Sequence, residues 1–350
     1  MTREELKRKR IGVLMGGLSP EREISLKTGR AILSSLLEKG YQALGIEVDR
    51  SIATHLLKEK IEVAFIALHG PWGEDGSIQG LLEIMAIPYT GSGVLASALA
   101  MNKIMAKKIF YYHQLPTPQF QVISYGYELF EVAMDPPLVV KPACGGSTIG
   151  TSIVKSRNEL EEALKKAAEY DQETLVERYV DGKDITVGIL NGKHLPVVEI
   201  VPKSGFYDYD SKYTPGKTEY IVPARLPQEI AEKAQKLGVA ACRALQCSGA
   251  VRVDFPIPGS PPKRITDPGT IPPPKTLSNS KISLLSLTIL DFLISFSWLI
   301  SIALIFLDFE FLAPSEVEGW VLNSLNVFQL LQFSHTPDHF ENSSPHSEQT

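Results

Sequence analysis

Cysteine, tryptophan and excess charge of either sign are all scarce in this chain. Three cysteines, Cys144, Cys242 and Cys247, occur in 350 residues without a CxxC spacing. That excludes a disulfide framework and a thiolate zinc site, and it fits a reducing compartment. The formal net charge is −5, from 35 Lys+Arg and 40 Asp+Glu. The last 94 residues hold 4 basic and 9 acidic groups, which leaves 31 of each in the first 256. A neutral body attracts neither nucleic acid nor anionic lipid at long range, so small molecules are the expected partners. Neither GxxxxGK[ST] nor GxGxxG is present, and no P-loop or Rossmann cofactor site is expected. The charged residues 2–10 precede only seven apolar-core residues, 11–17, too few for a signal peptide, so a cytoplasmic location is expected.

What the chain does have is strand and helix periodicity up to about residue 256. Residues 11–17 read as a buried strand ending in a glycine turn, and 22–39 as a helix closed by Gly40. A second apolar strand, 63–68, runs into the glycine-rich loop His69-Gly-Pro-Trp-Gly-Glu-Asp-Gly76, where parallel sheets place ligands. Residues 96–112 fit one helix, 119–124 and 138–141 short strands, and 159–170 a helix. Three β-rich runs, 175–180, 185–190 and 196–201, are separated by Asp/Gly and Asn/Gly turns. Helix returns over 228–245 and strand over 250–255. The pattern predicts an α/β unit over 1–93 and α+β units over 94–180 and 181–256.

Past residue 257 the character changes. Seven prolines between Pro258 and Pro274 forbid regular structure and read as a linker. Residues 282–307 carry Asp291 as their only charge and are long enough for a membrane span, with Lys263, Arg264, Lys275 and Lys281 on the side that would stay cytoplasmic. Residues 334–350 form a polar tail for which disorder is expected.

Several segments carry chemistry. In Lys141-Pro-Ala-Cys-Gly-Gly-Ser-Thr-Ile-Gly150 the glycines let backbone N–H groups converge on phosphate oxygens while a hydroxyl and the lysine add a donor and a counter-charge. Taken alone, the same loop reads more simply as a turn between strands. Residues 206–213 pack three tyrosines, two aspartates and a lysine, which suits either a loop closing on a ligand or an Asx-rich turn. Glu21 and Arg22 follow one strand and His69 another, so they are placed to line one cleft. Arg252 and Asp254 alternate on a strand and share a face, as an anion-binding cation beside a magnesium ligand or as a plain ion pair.

In this order, these elements closely resemble the D-alanine–D-alanine ligases of the ATP-grasp group. The resemblance covers about residues 10–256, through Gly16-Gly-Leu-Ser-Pro-Glu-Arg-Glu-Ile-Ser25, Ala67-Leu-His-Gly70 with Gly73-Glu-Asp-Gly76, Tyr89-Thr-Gly-Ser-Gly93, Lys141-Pro with Gly146-Ser-Thr-Ile-Gly150, Tyr207 to Tyr213, and Arg252-Val-Asp254. It implies an ATP-grasp fold preceded by a parallel α/β domain, with the C-terminal part of the ATP-grasp domain missing. The implied reaction phosphorylates the carboxylate of one D-alanine with ATP and lets the amine of a second attack the acyl phosphate, giving D-alanyl-D-alanine for peptidoglycan.

By the same resemblance Glu21 holds the first substrate's ammonium group, His69 lies near its carboxylate, Ser147 and Tyr213 link the mobile loop to Glu21, and Arg252 stabilises the tetrahedral intermediate. Lys103, Lys141 and Lys212 neutralise ATP phosphates beside the loop Gly145, Gly146, Ser147, Thr148, Ile149 and Gly150. Glu177 accepts from the adenine amino group with Tyr179 and Val180 beside the ring, and Asp184 accepts from the ribose hydroxyls. Tyr213 in place of phenylalanine favours an amine over a lactate hydroxyl. Mg2+ or Mn2+ is implied, with Asp254 as one ligand and a Glu-x-Asn as the others, and no Glu-x-Asn follows Asp254. A homodimer is implied as well.

Because phosphoryl transfer leans on metal neutralisation, a nucleotide-binding but catalytically dead protein, tethered through 282–307, is a competing reading. A ligase for D-lactate or D-serine is another. The simultaneous loss of resemblance and change of composition at 257 predicts a C-terminus unrelated to the family, such as a frameshift would produce.

Overall fold

Three separate sheets organise the residues described by the computed structural model, which are 2–124, 132–203, 211–212, 214 and 216–259. Tyr213, most of the 206–213 loop, nearly all of the proline-rich linker, the apolar run 282–307 and the polar tail lie outside the described residues.

After a short helix α1 (Arg3–Lys7), the first sheet is parallel and ordered β2-β1-β3, from β1 (Arg10–Gly16), β2 (Gln42–Val48) and β3 (Val63–Ile66). β1 is buried at every position after Arg10, as a central strand covered on both faces must be. Ile11, Val13 and Met15 meet Leu26, Ile32 and Leu36 of α2 (Arg22–Glu38), whereas Leu14 faces Leu56 of α3 (Ile52–Lys58) and Leu82 of α4 (Ser77–Ile84). Gly29 lets α2 come down on β1, since a Cβ there would lie 2.4 Å from the Met15 Cβ.

The helix expected over 96–112 is instead two, α5 (Val94–Met101) and α6 (Lys103–Tyr112). Asn102 between them is extended, and its side chain accepts from the Met105 N–H at 2.9 Å, so a good N-cap residue ends one helix and starts the next.

The second sheet is antiparallel, ordered β4-β7-β5-β6, from β4 (Phe120–Ser124), β5 (Leu138–Pro142), β6 (Ser152–Val154) and β7 (Glu173–Arg178). One face buries Leu138, Val140 and Val176 under Ala163 and Ala167 of α7 (Leu160–Ala168). The third sheet is antiparallel too, ordered β10-β9-β8-β11, from β8 (Gly182–Leu190), β9 (Lys193–Pro202), β10 (Thr218–Ile221) and β11 (Ala250–Pro258). One face buries Val187, Ile189, Val253 and Phe255 against Ala234 and Ala241 of α8 (Gln228–Ala244). Among the described residues β11 is an outer strand of this sheet.

The two glycine turns expected here differ in kind. Asn191-Gly192 has φ of 47° and 78° and closes the β8–β9 hairpin. Asp181-Gly182 closes no hairpin, because β7 and β8 belong to different sheets. Gly182 serves close approach instead: a Cβ on it would lie 1.8 Å from the Ile257 carbonyl oxygen.

Candidate functional site

The N-terminal wall of the site is built where β1 and β3 end. Gly16 and Gly17 turn the chain at φ of 78° and 85° into α2, whose N-cap position is Glu21, buried to 1% exposure. Ser25 ties these parts together: its hydroxyl accepts from the Gly16 N–H at 2.9 Å and donates to the Ala67 carbonyl at 2.7 Å. Ser19 donates to the His69 carbonyl at 2.7 Å, and Gly70 passes so close to Glu21 that a Cβ there would lie 2.5 Å from Oε2.

The loop from the second sheet closes onto this wall. Ser147 is fully buried and its hydroxyl donates to the Glu21 carboxylate. Ser147 and Thr148 both hold positive φ, 55° and 64°, a region that costs non-glycine residues about 1–3 kcal/mol each and persists only where surroundings enforce it. Gly145 and Gly150 take φ of 98° and 71° at the loop ends. Lys103 reaches the loop, its ammonium donating to the Gly145 carbonyl at 2.6 Å.

The opposite wall is the face of the third sheet that α8 leaves uncovered. Alternation puts Arg252 and Asp254 there, with Arg252 Nη2 3.0 Å from Asp254 Oδ2. Asp254 pairs with Thr186 and Pro256 with Asp184, so Asp184 is the diagonal neighbour of Asp254 on that face. Burial, and then the Asp254 charge, push the Asp184 carboxyl up to about 6, while Lys212 acts the other way. Burial, and then the Arg252 charge, push His69 down to about 4. His69, in the loop after β3, is therefore near enough to Arg252 on β11 for the guanidinium charge to act on its imidazole. Tyr179 belongs with them, since burial and the charges of Asp181 and Asp184 raise its phenol; Val180 beside it is half-buried.

A third group is fully interior. Glu177 on β7 is 1% exposed and is ion-paired with Lys141 Nζ at 2.5 Å and Lys107 Nζ at 2.9 Å. Burial alone would raise this carboxyl, but the two lysines outweigh it and hold it below the usual range. Lys141 and Glu177, expected at opposite parts of a nucleotide, are thus ion-paired. Sequence reasoning missed Lys107, although it lies four residues after Lys103 on the buried face of α6; that spacing was the available signal. Ser19 and Ser25 were quoted in a motif without a role, because a serine in a turn carries no mark of the two elements it joins.

Apart from Tyr213, the described candidates Glu21, His69, Ser147, Asp184, Arg252 and Asp254 converge on one region, with Lys103 entering through the loop. A cavity of about 420 Å3 at the ends of the first sheet, lined by Leu18, Val48, Leu68 and Trp72, touches His69 but not Glu21, Ser147 or Arg252.

A parallel α/β unit followed by two antiparallel α+β layers that enclose lysines, a glycine loop and an Arg-x-Asp strand is an ATP-grasp architecture. The D-ala D-ala ligase N-terminus model matches residues 48–92 and the D-ala D-ala ligase C-terminus model residues 122–278, which runs past the composition change at 257. The chain is 56% identical over 257 residues to a D-alanine–D-alanine ligase of Geotalea uraniireducens, covering 73% of this chain and 83% of that one. It is 53% identical over 255 residues to that of Syntrophotalea carbinolica, covering 73% and 84%. Crystal structures of the D-alanine–D-alanine ligase of Bacillus anthracis, alone and complexed with ATP, superpose with a TM-score of 0.63 each, at 36% and 35% identity over 72% of this chain and 83% and 82% of theirs. The chain belongs to the D-alanine–D-alanine ligase family.

The same site limits the metal question. Asp184 and Asp254 offer two carboxylates on one sheet face, but no group of three His, Cys, Asp or Glu side chains that could hold a metal ion occurs among the described residues. These residues do not complete a cation site. No described helix is long and apolar enough to cross a membrane, and 282–307 lies outside that statement.

Proposed function

We propose that this chain joins two D-alanines at the expense of ATP, for peptidoglycan, in the cytoplasm and as a homodimer. The observation that carries the reading is the Ser147 hydroxyl on Glu21, which locks a glycine loop of the second sheet onto the N-terminal wall beside His69 and Arg252.

The γ-phosphoryl group passes from ATP to the carboxylate oxygen of the first D-alanine, leaving ADP and an acyl phosphate. The amine of the second D-alanine then forms the C–N bond, loses a proton, and inorganic phosphate departs. Glu21 accepts from the first ammonium group through its buried carboxylate. His69 is neutral at pH 7 and offers the first carboxylate a hydrogen bond rather than a second charge. Arg252 is held by Asp254 with its guanidinium toward the reacting carbonyl, where negative charge develops. The loop from Gly145 to Gly150 and Lys103 bind phosphate oxygens, with Lys141 and Lys212 as further counter-charges. Glu177, Tyr179 and Val180 receive the adenine and Asp184 the ribose. Tyr213 with Ser147 positions the loop, and its hydroxyl favours an amine as second nucleophile. Asp254 is the family position for Mg2+ or Mn2+, and no Glu-x-Asn follows it.

The test is D-alanine-dependent phosphate release together with detection of D-alanyl-D-alanine. Wild-type release that falls at least about a hundredfold in Arg252→Ala supports the reading, at the scale of losing one oxyanion-stabilising donor. ATP binding without any D-alanine-dependent release would overturn it in favour of a dead nucleotide-binding protein.

A further inference from the structure

Lys107 has no exposed surface, so it cannot meet a nucleotide phosphate as Lys103 can. Its ammonium donates to Thr117 Oγ1 at 2.6 Å and to the Pro118 carbonyl at 3.1 Å, and it is ion-paired with Glu177 Oε2 at 2.9 Å. The Phe120 ring lies 4.9 Å away. These partners come from β7 and from the segment leading into β4, so the lysine spans from α6 to the second sheet and is fixed from several sides.

We infer that Lys107 is a positioning residue for base selection: its buried ammonium, anchored on Thr117 and Pro118, holds the Glu177 carboxylate, so that this carboxylate accepts from the exocyclic amino group of adenine and rejects the oxygen at the same place in guanine. The inference rests on the adenine role proposed for Glu177. An ionised carboxylate only accepts hydrogen bonds, whereas a protonated one also donates and could satisfy a guanine oxygen. The charged groups acting on Glu177 are Lys107 from α6 and Lys141 from β5; β4 presents Phe120. Lys141 lies near the expected path of the phosphates, and a nucleotide can draw it away. Lys107, fully buried and hydrogen-bonded to Thr117 and Pro118, stays. Without it, burial would favour the protonated carboxyl, and selection would depend on pH.

The experiment measures ATP and GTP dissociation constants of the full chain from pH 6 to 7.5, for wild type, Lys107→Met, Glu177→Gln and the double variant, beside D-alanine-dependent phosphate release with each nucleotide. That range stays below the value of about 8 to which burial, against the Glu177 charge, pushes the Lys107 ammonium. For Lys107→Met we expect ATP affinity and the ATP/GTP preference to fall about tenfold or more at pH 7, the scale of one pKa unit in a buried carboxyl. Both should recover as pH rises, and the Michaelis constant for ATP should change more than turnover. Glu177→Gln should lose the preference without pH dependence, and the double variant should be no worse than Glu177→Gln. Should Lys107→Met fail to fold, Thr117→Val loosens the clamp without removing charge and should lower the ATP/GTP preference about two- to threefold, as for one hydrogen bond. A folded Lys107→Met, or failing that Thr117→Val, with the wild-type ATP/GTP preference overturns the inference when Glu177→Gln loses it. If Glu177→Gln keeps the wild-type preference, the adenine role of Glu177 fails and the inference with it.

Discussion

Replacing His69 by asparagine tests whether the first and third sheets meet as described, through the pH dependence of stability. His69 is 2% exposed and its imidazole is pushed from 6.5 down to about 4, by burial first and the Arg252 charge second. Between those values the unfolded chain takes a proton that the folded chain refuses. The contribution of a group depressed in the folded state is complete above pH 6.5 and drains away as pH falls to 4. The whole loss is about 3 kcal/mol, and about 2 kcal/mol of it has gone at pH 5. Asparagine does not titrate, so the stability of wild type minus variant should shrink by about 2 kcal/mol between pH 7.5 and 5. Carboxylates that titrate in both proteins cancel in that difference. Urea unfolding followed by fluorescence at four or so pH values gives it directly. A difference that is flat with pH would mean that His69 is not a buried neutral imidazole near a guanidinium, and the convergence of the two walls would be refuted.

Two further perturbations probe the same region. The Asp184 carboxyl is raised from 3.8 to about 6, so its ionisation costs stability above pH 6 and nothing below 3.8. Asp184→Asn should therefore be about 1–3 kcal/mol more stable than wild type at pH 7.5 and equal to it near pH 3.5, measured by urea unfolding; no gain at pH 7.5 would remove the Asp184–Asp254 repulsion. Gly70→Ala places a Cβ 2.5 Å from Glu21 Oε2 at a φ of 69°, which itself costs about 1–2 kcal/mol, and should push Glu21 off Ser147. D-alanine-dependent phosphate release should fall while ATP affinity stays, and wild-type release would show that Glu21 is not held by that close approach.

Much of this arrangement was legible in the chain because it rests on short-range chemistry. Strand β1, the helices α2 and α8 and the Asn191-Gly192 hairpin follow from periodicity and turn residues alone. What was not legible is what tertiary contact decides. β2 is an edge strand half-open to solvent, and its Gly45 exists to admit Met15, so its alternation is weak. Asn102 could as well have sat inside one long helix; its cap on Met105 and the Lys103 N–H donating to the Ala143 carbonyl show why a new helix starts there. Asp181-Gly182 carries a hairpin signature yet bridges two sheets, because the glycine was needed for contact with Ile257 rather than for a turn.

The site residues divide in the same way. Glu21, His69, Ser147, Arg252 and Asp254 stand beside glycines or in alternation, and sequence pattern marks such positions. Lys107 and Glu177 stand on regular elements beside other charged residues, Lys108 and Arg178, and only the four-residue spacing from Lys103 marks Lys107 as sharing a buried face. Their burial makes sense only as a set. A lone carboxylate at 1% exposure would be neutral, and a lone ammonium there would lose its proton, so each requires the other to keep its charge. The group joins one carboxylate to two lysines, and of these Lys141 stands near the end of β5, next to the glycine loop. An anion arriving at that loop would compete with Glu177 for Lys141, while Lys107 would keep its place on the carboxylate.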